Sequence, residues 1–309
     1  MEQHSHKLPV VVGLGPVDAA TVGPVLDGVA RFIADPTPED LEHAVGAILR
    51  AHVTLDKAMF ATLPALRVVA RTGVGTERVD LDEARARSIP VVITPGANTD
   101  AVAEGALAHL LALTKSLAPL THLVKTGAWD DRATIPVGDL RGGTLAILGY
   151  GRIGRAVARL AQAFGMNCVA YDPFVTEADI RLAASLEEAL AGATHVSVHL
   201  PATDDTTGLI NREVIASLEP QTILVNLARG EVLDLDAALW GLETGHLGGL
   251  GLDVFPTEPP EHHAVFEHPR VILTPHVMGL TTASTKATFI QAAEGIADVL
   301  RGKTPAFQA

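Results

Sequence analysis

The chain has 309 residues, of which 48% are hydrophobic, and its formal net charge is −13 at pH 7. This length is enough for two domains of ordinary size, and an acidic balance without a basic block argues against nucleic acid as a partner. The single cysteine, Cys168, excludes an internal disulfide bond and fits a reducing compartment. No apolar run has the length of a membrane span, and the N-terminus does not resemble a secretory signal. We therefore expect a cytoplasmic protein with no membrane partner.

The first third of the chain alternates short apolar runs with helical patterns. The apolar runs predict strands at 10–14, 31–33, 47–49, 67–71 and 91–94. Helical periodicity predicts helices at 19–26, 37–45, 55–63 and 81–87, the second of which begins with the capping box TPED. Five strands separated by helices indicate a parallel sheet with helices on both faces.

A long helical pattern then spans 98–126, and we expect Pro119 to interrupt it because proline lacks a backbone N–H. A polar connector containing Trp129 leads to a second alternating series. Its predicted strands lie near 144–148, 167–171, 195–199, 222–227, 249–254 and 270–274. Six strands with intervening helices predict a second doubly wound sheet. A final helix is predicted at about 282–300, and it is expected to pack back on the first sheet.

The segment 144–173 has the spacing of a dinucleotide site. An apolar strand leads into GYGRIG at 149–154, a helical pattern follows, and the next strand ends at Asp172. In such a G-x-G-x-x-G segment, Gly149 allows the tight turn and Gly151 allows the backbone to approach a pyrophosphate. Gly154 allows the helix to pack closely on the strand. Strand, glycines, helix, strand and acid together predict dinucleotide binding more strongly than the glycines alone.

The same segment indicates which dinucleotide is bound. The free N–H groups at the helix start, near Arg152 and Ile153, provide a partial positive charge for the phosphates. Asp172 can accept hydrogen bonds from both hydroxyls of the adenosine ribose, and its charge would repel a 2′-phosphate. Arg155 and Arg159 are interpreted as solvated helix residues. NAD is therefore the predicted cofactor, and NADP is disfavoured.

Seven short motifs carry a family resemblance. They are RTGVG at 71–75, PGAN at 95–98, LGYGRIG at 148–154, HLP at 199–201, VNLARG at 225–230, LDVFPTEP at 252–259 and LTPH at 273–276. In this order they resemble the D-isomer-specific 2-hydroxyacid dehydrogenases, the family of D-3-phosphoglycerate dehydrogenase and glyoxylate/hydroxypyruvate reductase.

The resemblance implies a domain organisation and an assembly. A flavodoxin-like substrate domain is expected at 1–98 and 281–309, and a Rossmann NAD-binding domain at 99–280, with the active site in the cleft between them. A homodimer is also implied, with contacts through the 98–126 helices and the Trp129 connector.

Three residues near predicted strand ends match the catalytic positions of the family. His276 is expected to be the proton donor, since imidazole changes charge near neutral pH. Glu258 would pair with His276, orient it and favour its protonated form. A guanidinium at Arg229 can bond a carboxylate and a carbonyl oxygen together. The three imply hydride transfer between nicotinamide and C2 of a small D-2-hydroxy acid or 2-oxo acid of the glyoxylate, hydroxypyruvate or 3-phosphoglycerate type.

Other residues are candidates for binding. The consecutive N–H groups of Gly73, Val74 and Gly75 form an anion-binding nest after a strand, which the family uses for the substrate carboxylate. Arg50 is expected to reach a distal anionic group, with a plain surface charge as the alternative. The resemblance implies further cofactor contacts, with Asp253 bonding the nicotinamide amide: Pro201, Thr206, Ala228, Asp253 and Gly279. No metal-ligand spacing is found, so no metal site is predicted.

The chain departs from the family after its histidine. The family often has small residues where this chain has Met278 and Leu280, and we expect these side chains to narrow or line the pocket at the nicotinamide end.

Two alternatives to the dehydrogenase remain. One is an NADH-sensing interaction protein resembling the C-terminal-binding-protein corepressors, which keep the same Arg-Glu-His set. The other is an enzyme that oxidises another small anion such as phosphite.

Overall fold

The computed structural model describes residues 8–309. The chain divides into two compact units, one formed by the residues up to Asn98 with Leu280–Ala309, the other by Thr99–Gly279. Each unit contains one sheet in which every paired strand is parallel. The predicted fold class, two doubly wound parallel sheets with helices, is confirmed.

The first sheet has the flavodoxin-like strand order β2-β1-β3-β4-β5. Its strands are β1 Val10–Leu14, β2 Arg31–Ile33, β3 Ala44–Leu49, β4 Val68–Arg71 and β5 Val91–Val92. The helices between them are α1 Ala19–Leu26, α2 Pro38–His43, α3 Lys57–Ala61 and α4 Leu81–Ala86.

Two boundaries in this unit differ from the prediction. The helix predicted at 37–45 ends at His43, and β3 begins at Ala44, three residues before the predicted strand. The buried side chain of Ala44 aligns with Val10 of the neighbouring strand, so pairing in the sheet overrides the helical pattern. The strand predicted at 91–94 is paired only over Val91–Val92.

A long helix near the end of the chain completes the core of this unit. The helix α11 spans Thr282–Leu300, as predicted, and its Phe289 and Ile296 are buried in the cluster that also contains Val11 and Val68. After it, Gln308 forms an antiparallel bridge with Val92 of β5. The helix therefore covers one face of the first sheet, as the sequence indicated.

The second sheet has the strand order β12-β11-β10-β9-β6-β7-β8. Its strands are β6 Thr144–Leu148, β7 Asn167–Tyr171, β8 Arg181–Leu182, β9 His195–Val198, β10 Thr222–Asn226, β11 Leu247–Leu252 and β12 Val271–Leu273. The helices α7 Arg152–Ala163, α8 Leu186–Leu190, α9 Arg212–Ala216 and α10 Leu235–Thr244 connect them. The described chain thus has one strand more than predicted, because the two residues of β8 are too few to show alternation. Since all strands are parallel, their carboxyl ends lie along one edge.

The pattern at 98–126 forms two helices, α5 Thr99–Thr114 and α6 Leu117–Thr126. The break was predicted at Pro119 but lies at Ser116, whose φ is 50°. A proline ring clashes with the carbonyl four residues earlier, so the helix breaks before Pro119, which sits in the first turn of α6. A 3-10 turn at Trp129–Thr134 follows. No single helix among residues 8–309 is long and apolar enough to cross a bilayer; only α5 and α6 together, bent by 55°, meet that test.

Candidate active site

The glycine loop after β6 is shaped by close backbone contacts. Gly149 has φ 94°, and a Cβ there would lie 2.6 Å from the carbonyl oxygen of His199. A Cβ on Gly154 would lie 2.1 Å from the carbonyl oxygen of Gly149. By contrast, nothing lies within 4 Å of a Cβ built on Gly151, the residue before α7. This open space at an uncapped helix start fits a phosphate group approached by the N–H groups of Arg152 and Ile153.

Asp172 is anchored next to this loop. Its Oδ2 accepts a hydrogen bond of 2.8 Å from the N–H of Tyr150, and its Oδ1 accepts one of 3.0 Å from the N–H of Phe174. A carboxylate has about four lone-pair positions, so both oxygens keep capacity for a pair of ribose hydroxyls. The structure therefore places the acid expected to select the ribose directly against the glycine loop.

The two arginines interpreted as solvated helix residues are both exposed on α7, and both also make contacts. The Arg155 guanidinium lies 4.5 Å from the ring centre of Tyr150 and 4.0 Å from Asp179. The buried Tyr150 donates a hydrogen bond from its hydroxyl to Asp179, and desolvation together with this bond raises the pKa of the phenol. Arg159 lies 3.4 Å from Asp100. Arg155 therefore has a role beyond solvation, because it ties the glycine loop to the segment after Asp172.

At the other end of the same edge, His276 and Glu258 form a pair. Nδ1 of His276 lies 2.8 Å from Oε2 of Glu258, and Oε1 of Glu258 accepts a hydrogen bond of 3.2 Å from the N–H of Phe255. His276 has φ 53°, a left-handed conformation that is uncommon for residues other than glycine. Backbone strain of this kind persists only where the surroundings enforce it.

The carboxylate of Asp253 supplies much of this enforcement. Its Oδ1 accepts hydrogen bonds from the hydroxyl of Thr274 at 2.6 Å and the N–H of Val277 at 3.0 Å, and its Oδ2 accepts one from the N–H of Met278 at 3.1 Å. Asp253 is buried. Its side chain therefore braces the loop on both sides of His276, a role that the sequence did not suggest beside the expected contact with the nicotinamide amide.

Arg229 follows β10, the neighbour of β11 in the sheet. The side chain of Asn226 fixes its loop by donating to the carbonyl of Arg229 at 2.8 Å and accepting from the N–H of Ala228 at 3.0 Å. A Cβ on Gly230 would lie 1.9 Å from the carbonyl carbon of Phe255. The loop that bears Arg229 therefore touches the loop that leads to Glu258.

The departure at Met278 has a consequence that was not expected from the sequence. A Cβ on Gly105 of α5 would lie 2.7 Å from Cβ, 2.9 Å from Cγ and 3.0 Å from Sδ of Met278. The thioether side chain therefore packs onto the helix, within the cluster beneath the sheet edge. Leu280 is about half exposed.

The loop after β9 lies between the two ends of the edge. The hydroxyl of Thr206 donates to the carbonyl of Pro201 at 2.6 Å and accepts from the N–H of Thr203 at 2.8 Å, so the loop closes on itself. His199 is held by Ser197 through Nε2 at 2.8 Å, while its Nδ1 is buried without a partner among residues 8–309. Burial lowers the pKa of His199 to about 4.

The residues proposed for substrate binding lie in the first unit. The N–H of Gly73 donates to Oγ1 of Thr94 at 2.7 Å. The N–H groups of Val74 and Gly75 have no acceptor in the described chain, so these two are the available donors of the predicted nest.

Two arginines lie at neighbouring strand ends of that unit. Arg50 follows β3, with its guanidinium 5.2 Å from the ring centre of Phe289, and burial lowers its pKa. Arg71 is the buried last residue of β4 and donates to the carbonyl of Thr72 at 2.8 Å. Arg50 was expected from the sequence as a candidate for anion binding and Arg71 was not, although the pairing of their strands brings the two strand ends together.

The strand order arranges these groups along the edge of the second sheet. His276, Glu258 and Arg229 follow β12, β11 and β10, the glycine loop follows β6, and Asp172 follows β7. Between the two sets lies the point where strand order reverses, which is where ligands bind in open α/β sheets. Residues 8–309 contain no group of three His, Cys, Asp or Glu side chains suited to a metal ion.

Comparison with known proteins identifies the family of this chain. Residues 107–278 match the model of the D-isomer specific 2-hydroxyacid dehydrogenase, NAD binding domain. The chain belongs to the D-isomer specific 2-hydroxyacid dehydrogenase family.

Individual known proteins are similar to this chain over most of its length. The D-3-phosphoglycerate dehydrogenase of Mycobacterium tuberculosis is 37% identical over 306 residues, which cover 96% of this chain and 58% of that protein. The crystal structure of TT0316 protein from Thermus thermophilus is 33% identical, with a TM-score of 0.86 over 97% of this chain and 99% of the other. D-lactate dehydrogenase from Aquifex aeolicus, complexed with NAD and lactic acid, is 27% identical, with a TM-score of 0.80 over 95% and 96% of the two chains.

Membership of the 2-hydroxyacid dehydrogenase family identifies NAD as the cofactor of the matched domain. The residues present fit it, since Gly151 leaves open space at the start of α7 and Asp172 stands beside the glycine loop. The chain spans about half the length of the curated D-3-phosphoglycerate dehydrogenases compared with it: 58% of the Mycobacterium tuberculosis protein, 53% of the Bacillus subtilis protein and 45% of a chloroplastic protein of Arabidopsis thaliana.

Proposed function

We propose that this 2-hydroxyacid dehydrogenase family member is an NAD-dependent oxidoreductase that acts on a small D-2-hydroxy acid or its 2-oxo form. The observation that carries the proposal is the contact of 2.8 Å between His276 and Glu258, at the same sheet edge as the glycine loop. A titratable pair on the same sheet edge as a dinucleotide loop supports an acid–base step coupled to hydride transfer.

The chemistry divides among three side chains. Bound NAD supplies the hydride donor or acceptor at C4 of its nicotinamide. Because Glu258 occupies Nδ1 of His276, Nε2 is the nitrogen left to act on the substrate. In reduction, His276 gives a proton from Nε2 to the oxygen on C2 of the 2-oxo acid as the hydride arrives at that carbon. In oxidation, Nε2 removes the hydroxyl proton as the hydride leaves. Arg229 stabilises the negative charge on the oxygen and the carboxylate.

The substrate is held by the first unit in this proposal, with residues up to 98 and from 281 as the substrate domain and 99–280 as the NAD-binding domain. The N–H groups of the 73–75 segment, above all those of Val74 and Gly75, bind the carboxylate. Arg50 bonds a second anionic group when the substrate has one. A substrate with such a group, as in the 3-phosphoglycerate type, is therefore favoured over glyoxylate.

The cofactor contacts are proposed along the edge of the second sheet. Gly149, Gly151 and Gly154 shape the pyrophosphate site with Arg152 and Ile153, and Asp172 bonds the ribose. Asp253 retains one lone-pair position beyond its three bonds to the 274–278 loop, which supports a contact with the nicotinamide amide. The remaining proposed contacts are Pro201, Thr206, Ala228 and Gly279.

A substrate panel tests the reaction. Glyoxylate, hydroxypyruvate, pyruvate, 3-phosphohydroxypyruvate and, in the reverse direction, phosphite are incubated with NADH or NADPH and their oxidised forms, and absorbance at 340 nm is followed. We expect turnover of a 2-oxo acid with NADH. Tight NADH binding without turnover of any compound would contradict the enzyme and favour an NADH-sensing protein instead.

Two variants test the assignment of the site. Replacing His276→Ala should lower kcat by roughly 10²–10⁴. Replacing Arg229→Ala should cost about 3 kcal/mol of transition-state stabilisation by analogy with one lost oxyanion donor, and Arg229→Lys should recover only part of it. Full activity in both alanine variants would refute the assignment.

A homodimer is proposed through α6 and the connector that follows it. Four apolar side chains there are more than half exposed, which supports a protein contact: Leu117, Val124, Trp129 and Val137. Val124→Glu should convert the dimer seen by light scattering to a monomer, whereas Phe174→Ser, at an exposed position on another loop, should not. A monomeric wild type would contradict the dimer.

We also propose a cytoplasmic location, which the single cysteine supports.

A further inference from the structure

The loop that bears His276 makes an apolar contact with α5 through the side chain of Met278. Gly105 is the only glycine of α5, and it is buried in the middle of this 16-residue helix. Glycine at such a position costs about 1 kcal/mol relative to alanine. Here the absence of a Cβ makes room for Met278. A Cβ on Gly105 would lie 2.7–3.0 Å from Cβ, Cγ and Sδ of Met278. Helix and loop are therefore complementary at this pair.

Met278 is also tied to the rest of the loop through its backbone. Its N–H and that of Val277 donate to Asp253 at 3.1 and 3.0 Å. On the other side of His276, the hydroxyl of Thr274 donates to Asp253 at 2.6 Å. The loop is thus held by bonds to Asp253 on its sheet side. On its helix side it is held by the apolar contact of Met278 and by a contact of 3.4 Å between Oγ1 of Thr274 and Nε2 of His109 in α5. Between these attachments, His276 adopts φ 53°.

We infer that Met278 is a positioning residue for His276, and that Gly105 is the site on which it is positioned. The contact fixes the height of the 276–278 backbone above α5, and with it the direction in which the His276 ring meets Glu258. This inference rests on the proposed function only for its kinetic consequence. The geometric consequence, the state of the His276–Glu258 hydrogen bond, does not depend on the reaction.

A matched set of variants tests the contact. Gly105→Ala introduces a Cβ that must push Met278 away, although alanine favours the helix. Met278→Gly removes the atoms that are in the way, so the double variant Gly105→Ala/Met278→Gly restores space. Met278→Ala keeps the loop backbone but removes the thioether contact. Gly23→Ala is the control, since Gly23 lies in α1 and a Cβ there meets nothing within 4 Å.

Two readouts separate positioning from stability. We expect Gly105→Ala to lower kcat on the substrate found by the panel at least tenfold, with the Kd for NADH changed less than twofold. Met278→Ala should lower kcat about threefold or more. The proton NMR signal of the Nδ1–H that faces Glu258, identified by its absence in His276→Ala, should shift or broaden in both variants. The double variant should return to within threefold of Met278→Gly in kcat, and Gly23→Ala should equal the wild type.

The inference is overturned if Gly105→Ala and Met278→Ala lower only the melting temperature while kcat and the NMR signal stay as in the wild type. If Gly105→Ala does not fold, Met278→Ala alone decides by the same two readouts. If no 2-oxo acid is turned over, the proposed function fails, but the NMR signal still decides the positioning role.

Discussion

The two ends of the carboxyl edge of the second sheet are held together by different forces. At the β6–β7 end, the glycine loop is fixed by exclusion: side chains on Gly149 or Gly154 would lie 2.6 or 2.1 Å from backbone oxygens. At the β10–β12 end there is also a close contact, at Gly230, but His276 and its neighbours are fixed by attraction. Asp253 accepts hydrogen bonds from Thr274, Val277 and Met278, and Glu258 pairs with His276. A loop held by exclusion should be disrupted by substitutions that add atoms. A loop held by attraction should be disrupted by substitutions that remove a charge or a hydrogen-bond donor without changing the shape of the side chain.

The largest effect is expected at Gly154. In Gly154→Ala the new Cβ meets the carbonyl oxygen of Gly149 at 2.1 Å, so helix and strand must separate. Unfavourable overpacking of this kind costs about 3 kcal/mol or more, and NADH binding should be lost with the loop. Urea unfolding and fluorescence titration with NADH measure both quantities.

The matched control for this variant is Gly151→Ala, whose Cβ points into open space. It should lower the free energy of unfolding by no more than about 1 kcal/mol, the cost of alanine at a helix N-cap, while weakening NADH binding because the side chain enters the ligand's space. Equal destabilisation by both substitutions would show that exclusion does not shape this loop.

The next effect concerns a histidine between the two ends. The pKa of His199 is about 4 in the folded protein against an ordinary value of 6.5. Between these two pH values the unfolded chain binds a proton on this imidazole, whereas the folded protein does not. The contribution of His199 to the free energy of unfolding is therefore fully present above about pH 6.5 and is lost as pH falls toward 4. At 1.36 kcal/mol per pKa unit, the loss is about 3 kcal/mol at pH 4.

The variant His199→Gln isolates this loss. Between pH 7 and pH 4, its free energy of unfolding by urea should fall about 3 kcal/mol less than that of the wild type. His52→Gln, at an exposed position, should follow the wild type. Parallel pH curves for wild type and His199→Gln would contradict the buried, neutral state of this ring.

At the end held by attraction, Glu258→Gln preserves shape and removes charge. The amide can still face Nδ1 of His276, but it no longer stabilises the protonated ring. We expect kcat to fall about 10²-fold, a general acid–base effect, with NADH affinity and unfolding free energy near those of the wild type. A loss of NADH binding instead would mean that the two ends of the edge are not independent.

The difference between the two ends also explains what could be predicted from sequence. Gly149, Gly151 and Gly154 lie within one short segment, so their spacing between two strands was sufficient to indicate the loop and its cofactor. The fold class followed from alternating apolar and helical patterns in the same way. The two-residue strand β8 was missed because it carries no periodicity of its own.

The attraction-held end depends on residues far apart in the chain. Nothing in the sequence near Asp253 indicates its bonds to Val277 and Met278, and nothing near Gly230 indicates that a Cβ there would collide with Phe255. The departure from the family at Met278 was visible in the sequence, but the surface against which its side chain packs was not. Only the packing of α5 shows that the thioether lies against Gly105.

The smallest effect tests whether the exclusion-held end also needs attraction. Tyr150→Phe keeps the buried ring under the Arg155 guanidinium and removes only the hydroxyl that donates to Asp179. One lost hydrogen bond to a charged group costs about 1.5 kcal/mol, and NADH affinity should fall a fewfold because the segment after Asp172 is less firmly held. Tyr171→Phe, the same change at the chain's other tyrosine, should have no effect on affinity. If Tyr150→Phe also leaves NADH affinity unchanged, steric exclusion alone sets the conformation of the glycine loop, and the contacts of Arg155 and Asp179 do not contribute to it.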